Sequence, residues 1–415
     1  MYCGSCMHEN RLAAALRAQG HDVVLVPLYT PLRTDETDIS LSHVYYGGIN
    51  AFLQQSSTVF RHTPWFVDRL LDAGPLLRLV GRFAGSTRPE TLGAMTLSVL
   101  KGEHGRQRKE LAKLIAGLRQ LAPDLVHLPN LMFVGVAEAL REALGVPVLC
   151  ALAGEDVFID RLPEPYRGQV FELIRGRAPA VAAFDAVTEY YARHATAHFG
   201  LPAERVHRLP LAIHAGDFAA AGAPAGGPFT IGYLAHVCAE KGLLELARAF
   251  VLLRKQGRAC RLRVAGYLGP ADKAYLAQVE EEVRQAGIGG GEFEYVGEVD
   301  RAGKLEFLAS LQAFSVPTAY AEAKGFFVLE ALAAGVPVVE PRHGAFPELI
   351  AATEGGLLYE AGQAEGLADA LARLMDDERL RCALGARGRE VVLRDFTAER
   401  LAAQAWALYE RIVCE

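Results

Sequence analysis

Several features that would place the chain in another class of protein are absent from its sequence. No apolar run approaches the roughly 18 residues that a membrane span needs. The first ten residues are too polar for a signal peptide. The 415 residues carry a formal net charge of −6, so the chain lacks the basic surface with which nucleic-acid-binding proteins neutralise phosphates. The sequence therefore predicts a cytoplasmic protein that does not have nucleic acid as a partner.

The seven cysteines are scattered along the chain and odd in number, which argues against a disulfide framework. Cys3 and Cys6 lie closest together, with His8 nearby, but no second ligand pair at matched spacing completes a zinc site. We interpret this pair as small residues in a tight loop before a helix. A Walker loop and a metal-binding aspartate pair are also absent. The sequence predicts neither a metal nor a cofactor.

The sequence is dominated by an alternation of short apolar runs and amphipathic segments. It begins with a helix from near Glu9 to the stop at Gly20, followed by a buried strand from Val23 to Val26. The alternation resumes over residues 123–210 and again from residue 229. Strands that alternate with helices predict parallel sheets covered on both faces. No strand precedes the first helix, so we expect an α/β fold whose first, central strand is missing.

A stretch rich in Gly, Pro and Ala, Gly222 to Phe229, is the best candidate for a linker. It predicts an N-terminal domain over residues 1–221, with a helical insertion at about 49–121, and a C-terminal domain over residues 222–395. The helix over residues 396–415 is expected to pack back toward the first domain. Ligands of such sheets bind at the carboxyl ends of the strands, so the expected site is the cleft between two doubly wound domains that face each other.

The helical insertion ends in a basic amphipathic segment, residues 106–119. It carries Arg106, Arg108, Lys109 and Lys113. Helices of this kind are usually solvated on their basic face, and this is the interpretation that we prefer. The alternative is peripheral contact with the inner membrane surface, because basic amphipathic helices bind anionic lipid.

Two glutamates flank the start of an apolar segment near residue 326. Glu322 falls in the loop after a predicted strand over residues 313–318, and the next helix should begin near Phe326. The unpaired N–H groups at such a helix start bind phosphate, and Gly325 would let a ligand approach the backbone. Glu330 lies one turn into the apolar helix. There its carboxylate would accept two hydrogen bonds from a sugar or ribose diol, or form a salt bridge at an interface.

Lys241 occupies a similar position earlier in the chain, between a predicted strand and a helix. Its ammonium group is a suitable point charge for a diphosphate. A Lys-Gly pair at a helix start is common, so this signal is weak by itself.

Taken together, these segments resemble the GT-B glycosyltransferases, in particular the retaining glycosyltransferase family 4. The resemblance covers nearly the whole chain and is strongest over residues 230–358. The two glutamates that the family separates by seven residues match Glu322 and Glu330, with the motif glycine at Gly325. The further matches are Glu240, Lys241 and Gly242, and then Gly335, Pro337, Gly344 and Glu348.

The resemblance implies a hexosyltransferase-type enzyme with a nucleotide-diphosphate sugar as donor and a glycan, lipid or small-molecule acceptor. It implies retaining transfer without a metal ion. Glu322 would lie near the transferred sugar, Glu330 would bind the ribose diol, and Lys241 would hold the diphosphate together with the N–H groups near Gly325 and Phe326.

The N-terminal domain would hold the acceptor. Its segment around Gly154 and Asp156 resembles a family stretch written His-Gly-x-Asp, and the loop around Gly4 resembles the glycine loop that faces the diphosphate. The candidate catalytic residues are Glu322 and Asp156. The candidate donor-binding residues are His236, Lys241, Gly325, Phe326, Glu330 and Gly4.

The chain departs from the family at two positions. His236 stands where the family has an arginine, and Ala153 where it has a histidine. Together with the missing first strand, these departures leave open an inactive nucleotide-sugar-binding variant. A sugar-nucleotide epimerase is a second alternative, because that class shares the two-domain architecture.

Overall fold

The computed structural model describes residues 4–32, 34–61, 63, 89–218 and 228–415. The chain forms two compact units. One contains Leu211–Arg400, and the other contains Cys3–Pro210 together with Leu401–Glu415. Each unit is built on a parallel β-sheet, which confirms the predicted α/β class with two parallel-sheet domains. The chain passes between the units at Pro210, before the predicted linker, most of which lies outside the described residues.

The N-terminal unit contains a sheet of four parallel strands that follow one another in chain order. The two inner strands are buried along their whole length, as is typical of parallel strands with helices on both faces. The strands are β1 (Val126–Leu128), β2 (Val148–Leu152), β3 (Ala183–Ala186) and β4 (Val206–Arg208). The helices are α1 (Gly4–Ala18), α2 (Gly48–Ser56), α3 (Pro89–Leu100), α4 (Arg108–Leu121), α5 (Ala137–Leu144), α6 (Asp156–Ile159), α7 (Tyr166–Arg177) and α8 (Glu189–Phe199).

The prediction of a buried strand from Val23 to Val26 is wrong. These residues form no strand, and Val24 is 39% exposed. Their carbonyl groups have scattered partners: Val23 O accepts from the Arg17 side chain at 2.6 Å, and Leu25 O accepts from Leu41 N at 2.9 Å. Apolar composition favours burial, but a strand also needs a continuous ladder of bonds to a neighbouring strand.

The first helix begins earlier than the sequence predicts. α1 begins at Gly4 instead of near Glu9, so Cys6 lies within a helix and not in the predicted tight loop. Cys3 lies outside the described residues. Gly4 already lies within α1, so the described residues around it are helical and do not form the predicted glycine loop.

The predicted helical insertion is helical where it is described, in α2, α3 and α4. Residues 64–88, which fall within the predicted insertion, lie outside the described residues. Several of its basic side chains have partners within the fold. Lys109 donates to Thr63 at 2.8 Å, Lys113 to Glu110 at 2.7 Å, and Arg106 to a backbone carbonyl at 2.9 Å. None of the described helices is both long enough and apolar enough to cross a membrane.

The C-terminal unit contains a six-stranded parallel sheet with the order β10-β9-β8-β5-β6-β7. The strands are β5 (Phe229–Leu234), β6 (Cys260–Ala265), β7 (Phe293–Gly297), β8 (Ala313–Phe314), β9 (Val338–Pro341) and β10 (Gly356–Tyr359). The helices are α9 (Leu243–Lys255), α10 (Lys273–Gln285), α11 (Arg301–Ala309), α12 (Phe326–Ala333), α13 (Phe346–Thr353), α14 (Ala364–Asp376) and α15 (Glu378–Asp395). The last helix, α16 (Ala398–Cys414), belongs to the N-terminal unit from Leu401 onward.

The strand order of this sheet reverses between β5 and β8, which pair with each other. Such a reversal leaves a crevice at the carboxyl ends of the two strands, where ligands of open α/β sheets bind. The loop after β5 carries Lys241, and the loop after β8 carries Glu322. The sheet topology therefore brings the two predicted motifs to the same place.

Strand β8 is shorter than predicted. It ends at Phe314, whereas the sequence pattern predicts a strand to Thr318. Beyond it, the N–H of Val316 donates to the side chain of Glu340 instead of to a strand carbonyl. At Val316 the Glu340 side chain is thus the hydrogen-bond acceptor in place of the backbone of a neighbouring strand.

The end of α16 packs within the N-terminal unit. The indole of Trp406 stacks on His21 with ring centroids 3.6 Å apart. The Tyr409 hydroxyl lies 2.8 Å from Nδ1 of His127. Burial opposes the charged form of this imidazole, but Asp185, 2.7 Å from Nε2, raises the pKa of His127 to about 9.

Candidate functional site

Lys241 and Glu322 form an ion pair at the carboxyl ends of β5 and β8. The ammonium nitrogen of Lys241 lies 2.6 Å from Oε2 of Glu322 and 2.6 Å from the hydroxyl of Tyr320. That hydroxyl donates to the same carboxylate oxygen at 2.9 Å. Glu322 is only 6% exposed. The sequence indicates each residue separately, and the structure joins them through Tyr320, which sequence reasoning missed.

The ion pair keeps both of its members charged. Burial acts to raise the pKa of Glu322, but the charge and hydrogen bond of Lys241 outweigh it, so the pKa lies below the ordinary value. Burial acts to lower the pKa of Lys241, and Glu322 and Tyr320 raise it above the ordinary value. The ammonium group also lies 5.1 Å from the ring centroid of Tyr320 and 5.4 Å from that of Phe327.

The backbones of the two loops touch at Gly242. This glycine has φ +73°, and a Cβ atom there would lie 1.7 Å from the carbonyl oxygen of Pro317. Beside it, Ala319 N donates to Glu240 O at 2.9 Å. Only a glycine allows this approach, which explains why glycine follows the lysine.

The helix α12 begins at Phe326, as the sequence predicts, after Gly325 with φ +81°. Its first N–H groups have no partner within the helix. Just before the helix, the backbone N–H of Lys324 donates to Oε1 of Glu322 at 3.2 Å. On the other side of Glu322, its carbonyl oxygen accepts from Ala345 N at 2.8 Å. Glu322 is therefore held by backbone contacts as well as by Lys241.

Glu330 lies one turn into α12 and is 9% exposed. Lys304 of α11 donates to its Oε1 at 2.7 Å. The structure thus shows a salt bridge, one of the two roles that the sequence left open. Lys304 is 26 residues from Glu330 along the chain, and no motif connects the two.

His236 lies in the loop after β5 and pairs with an acidic side chain. Its Nε2 is 3.1 Å from Oδ2 of Asp272, which precedes α10. The imidazole lies against Tyr267, with ring centroids 5.4 Å apart. Both members of the pair are partly exposed, with side-chain exposures of 31% and 24%. Asp272 could not be found from sequence because it is 36 residues away.

The predicted residue of the N-terminal unit, Asp156, lies at the start of α6, just after β2. Its Oδ1 accepts from the Tyr191 hydroxyl at 2.8 Å, and its Oδ2 lies 3.1 Å from Nε2 of His194. The preceding residue, Glu155, accepts from Ala153 N at 2.8 Å. Both oxygens of Asp156 are thus engaged by side chains of α8, a helix that the sequence did not connect with the site.

Two family models match almost the entire chain. The model described as "Glycosyl transferase 4-like domain" matches residues 8–212, and "Glycosyl transferases group 1" matches residues 217–391. The chain belongs to the GT-B glycosyltransferases of family 4. The resemblance noted from the motifs is therefore confirmed.

Curated relatives match over shorter segments. N-acetyl-alpha-D-glucosaminyl L-malate synthase of Bacillus anthracis is 36% identical over 110 residues, which are 26% of this chain and 29% of that protein. Phosphatidyl-myo-inositol mannosyltransferase of Mycolicibacterium smegmatis is 34% identical over 134 residues, which are 32% of this chain and 34% of that protein. The match spans about a third of the length of these relatives.

Solved structures share the fold over more of the chain. Anabaena Alr3699/HepE in complex with UDP has a TM-score of 0.66 at 14% identity, covering 94% of this chain and 100% of that one. Sucrose-phosphate synthase from Thermosynechococcus elongatus has a TM-score of 0.62 at 20% identity, covering 74% and 79%. At these identities the likeness shows the fold alone.

The described part of this family member contains no group of three or more His, Cys, Asp or Glu side chains placed to hold a metal ion. Among the buried acids that sequence reasoning overlooked, one lies in a strand of the C-terminal sheet. Glu340, at the carboxyl end of β9, is 0% exposed, and burial raises its pKa well above the ordinary value. The sequence does contain an indication of this buried acid, because Glu340 is a single carboxylate within the apolar run before Pro341.

Proposed function

We propose that this protein transfers a sugar from a nucleoside-diphosphate sugar to an acceptor hydroxyl, with retention of configuration and without a metal ion. The observation that carries the proposal is the Lys241–Tyr320–Glu322 cluster beside the N-terminus of α12. A fixed cation and a helix N-terminus at a strand-order reversal are suited to a diphosphate. The family and the UDP-bound structural neighbours support the same donor class.

The proposed mechanism rests on charge stabilisation. As the bond between the sugar and the diphosphate breaks, negative charge grows on the leaving oxygen. Lys241 and the N–H groups at Gly325 and Phe326 would stabilise that charge without reorganising. Glu322 would lie beside the sugar, where positive charge develops at the anomeric carbon, and its ionised state suits that role.

The remaining candidates complete the proposed donor site. His236 would contact the phosphates with its position set by Asp272, and we propose Gly4 in α1 as a further donor-binding residue. In the N-terminal unit, Asp156 would orient the reacting sugar or the acceptor. We propose a glycan, a lipid or a small molecule as acceptor.

Glu330 provides the first prediction. If its carboxylate binds the ribose diol, Glu330→Gln should weaken the affinity for UDP or GDP roughly tenfold or more, because a hydrogen bond to a charged group contributes about 1.5–3 kcal/mol. The expected loss is in binding and not in turnover of the saturated enzyme, since the ribose contact is the same before and during the reaction. Isothermal titration calorimetry with UDP and GDP measures the affinity.

The matched control is Lys304→Met, which removes the salt bridge but keeps the carboxylate. It should change nucleotide affinity by much less than Glu330→Gln does. If both variants weaken binding equally, Glu330 acts through the salt bridge and does not contact the ribose.

The function itself is tested by incubating the protein with UDP- and GDP-sugars, with and without a panel of acceptors. Nucleotide release that requires an acceptor identifies a transferase. Release without an acceptor identifies an epimerase or a hydrolase, and binding without release identifies an inactive variant. The configuration of the product at the anomeric carbon tests retention, and activity that persists in excess chelator tests the absence of a metal.

A further inference from the structure

Glu340 is completely buried and has an unusually small set of partners for a carboxylate. It lies in β9, whose residues are all buried. Both of its oxygens face the same donor, the N–H of Val316, at 3.2 and 3.3 Å. A buried ionised carboxylate is strongly unfavourable unless a cation or several donors compensate it. The single N–H of Val316 is neither a cation nor a set of several donors, so it does not compensate an ionised carboxylate.

The charged groups near Glu340 do not supply that compensation. Burial is the dominant cause that raises the pKa of Glu340, and the negative charge of Glu322 raises it further. Lys241 acts in the opposite direction, but its ammonium group is already paired with Glu322. On the side of β10, Glu340 interacts with Tyr359, whose hydroxyl donates to Glu245 at 2.7 Å.

The segment that Glu340 holds leads directly into the candidate site. Val316 is followed by Pro317, whose carbonyl oxygen contacts Gly242. The next carbonyl, of Thr318, lies 3.0 Å from Nε2 of His343. Two residues later the chain reaches Tyr320, which bridges the Lys241–Glu322 pair. The position of Val316 therefore helps to set the position of the Tyr320 hydroxyl.

We propose that Glu340 is a neutral carboxylic acid at physiological pH and acts as a positioning residue, fixing Val316 and with it the loop that carries Tyr320 and Glu322. The neutral state of Glu340 is a property of the chain alone, whereas its positioning role rests on the proposed function, which assigns that loop to the donor site.

Infrared difference spectroscopy tests the protonation state directly. The spectrum of the wild-type protein at neutral pH minus that of Glu340→Gln should contain the carbonyl-stretch band of a protonated, buried carboxylic acid. A band of an ionised carboxylate in its place would overturn the inference. Glu340→Gln keeps the shape and neutrality of the proposed form, so it should fold.

Stability gives a second measurement. A proton that the folded protein holds is released on unfolding above the ordinary pKa of a glutamate. The unfolding equilibrium constant of the wild type should therefore rise relative to that of Glu340→Gln by about tenfold per pH unit from about pH 5 up to neutral pH. Parallel pH dependences of the two proteins would contradict a neutral Glu340.

The positioning role is tested by the affinity for UDP and GDP. Glu340→Gln should bind as the wild type does, whereas Glu340→Leu, which leaves the Val316 N–H without a partner, should bind roughly tenfold more weakly. Equal affinities of all three proteins would overturn the positioning role. If the wild type binds neither nucleotide, the positioning role and the proposed function fail together, while the infrared result still decides the protonation state.

Discussion

Replacing Lys241 by methionine should lower sugar transfer by a factor of about 100 or more, because one preorganised group that stabilises the leaving charge contributes about that much. The same change should destabilise the C-terminal unit by about 3–5 kcal/mol, since it leaves a buried charge without its partner. The buried charge that loses its partner is the carboxylate of Glu322, which is 6% exposed and lies 2.6 Å from the ammonium nitrogen of Lys241.

A double variant separates these two effects. Lys241→Met combined with Glu322→Gln removes both charges, so most of the lost stability should return, as it does when buried ion pairs are replaced as a unit. Transfer should stay lost. Urea unfolding measures the stability, and transfer from a labelled nucleotide sugar measures the activity. A double variant that recovers transfer would show that Lys241 acts only as the partner of Glu322.

Replacing Gly242 by alanine should destabilise the protein by more than about 4 kcal/mol, an exceptional loss for a single substitution. The added Cβ would lie 1.7 Å from the Pro317 carbonyl oxygen. This atom belongs to the backbone and cannot rotate away, so the loops that carry Lys241 and Tyr320 would have to separate.

Gly257 provides the matched control, because its φ of +78° is nearly that of Gly242 but no atom lies within 4 Å of an added Cβ. Gly257→Ala should lower the free energy of unfolding by only about 1–2 kcal/mol, which is the cost of holding a residue with a Cβ atom in the left-handed conformation. The urea midpoints of the two variants decide between steric contact and backbone conformation. If the two losses are equal, the close approach of the loops is not what requires glycine at residue 242.

The sequence predicts those residues of the candidate site whose position depends on the strand and helix next to them in the chain. Lys241 and Glu322 each follow a strand and precede a helix, and the parallel topology brings the ends of β5 and β8 together. The partners of these residues come from elsewhere. Lys304 of α11, Asp272 before α10 and Tyr191 of α8 are far along the chain from the residues that they contact. Their placement depends on helix packing, which periodicity does not encode.

The errors in the predicted strands have a related cause. The run from Val23 to Val26 has the composition of a strand but lacks a continuous ladder, and β8 stops short because a side chain takes the place of a strand partner at Val316. Composition indicates which conformation one segment prefers, whereas a strand forms only when a second segment supplies the hydrogen-bond partners. At Val316 the partner is the side chain of Glu340, and although a carboxylate in an apolar run is visible in the sequence, the pattern does not show which backbone group it contacts.

The return of α16 to the N-terminal unit has a consequence for the order in which the protein is made. Domains generally fold as units while the chain is being synthesised. Here the N-terminal sheet is translated well before Trp406 and Tyr409, the residues that cover His21 and His127. During that interval the ribosome produces the entire C-terminal unit. The unit whose translation begins first is therefore the last to obtain its full set of contacts, and a gene fragment that ends at Pro210 encodes an incomplete domain.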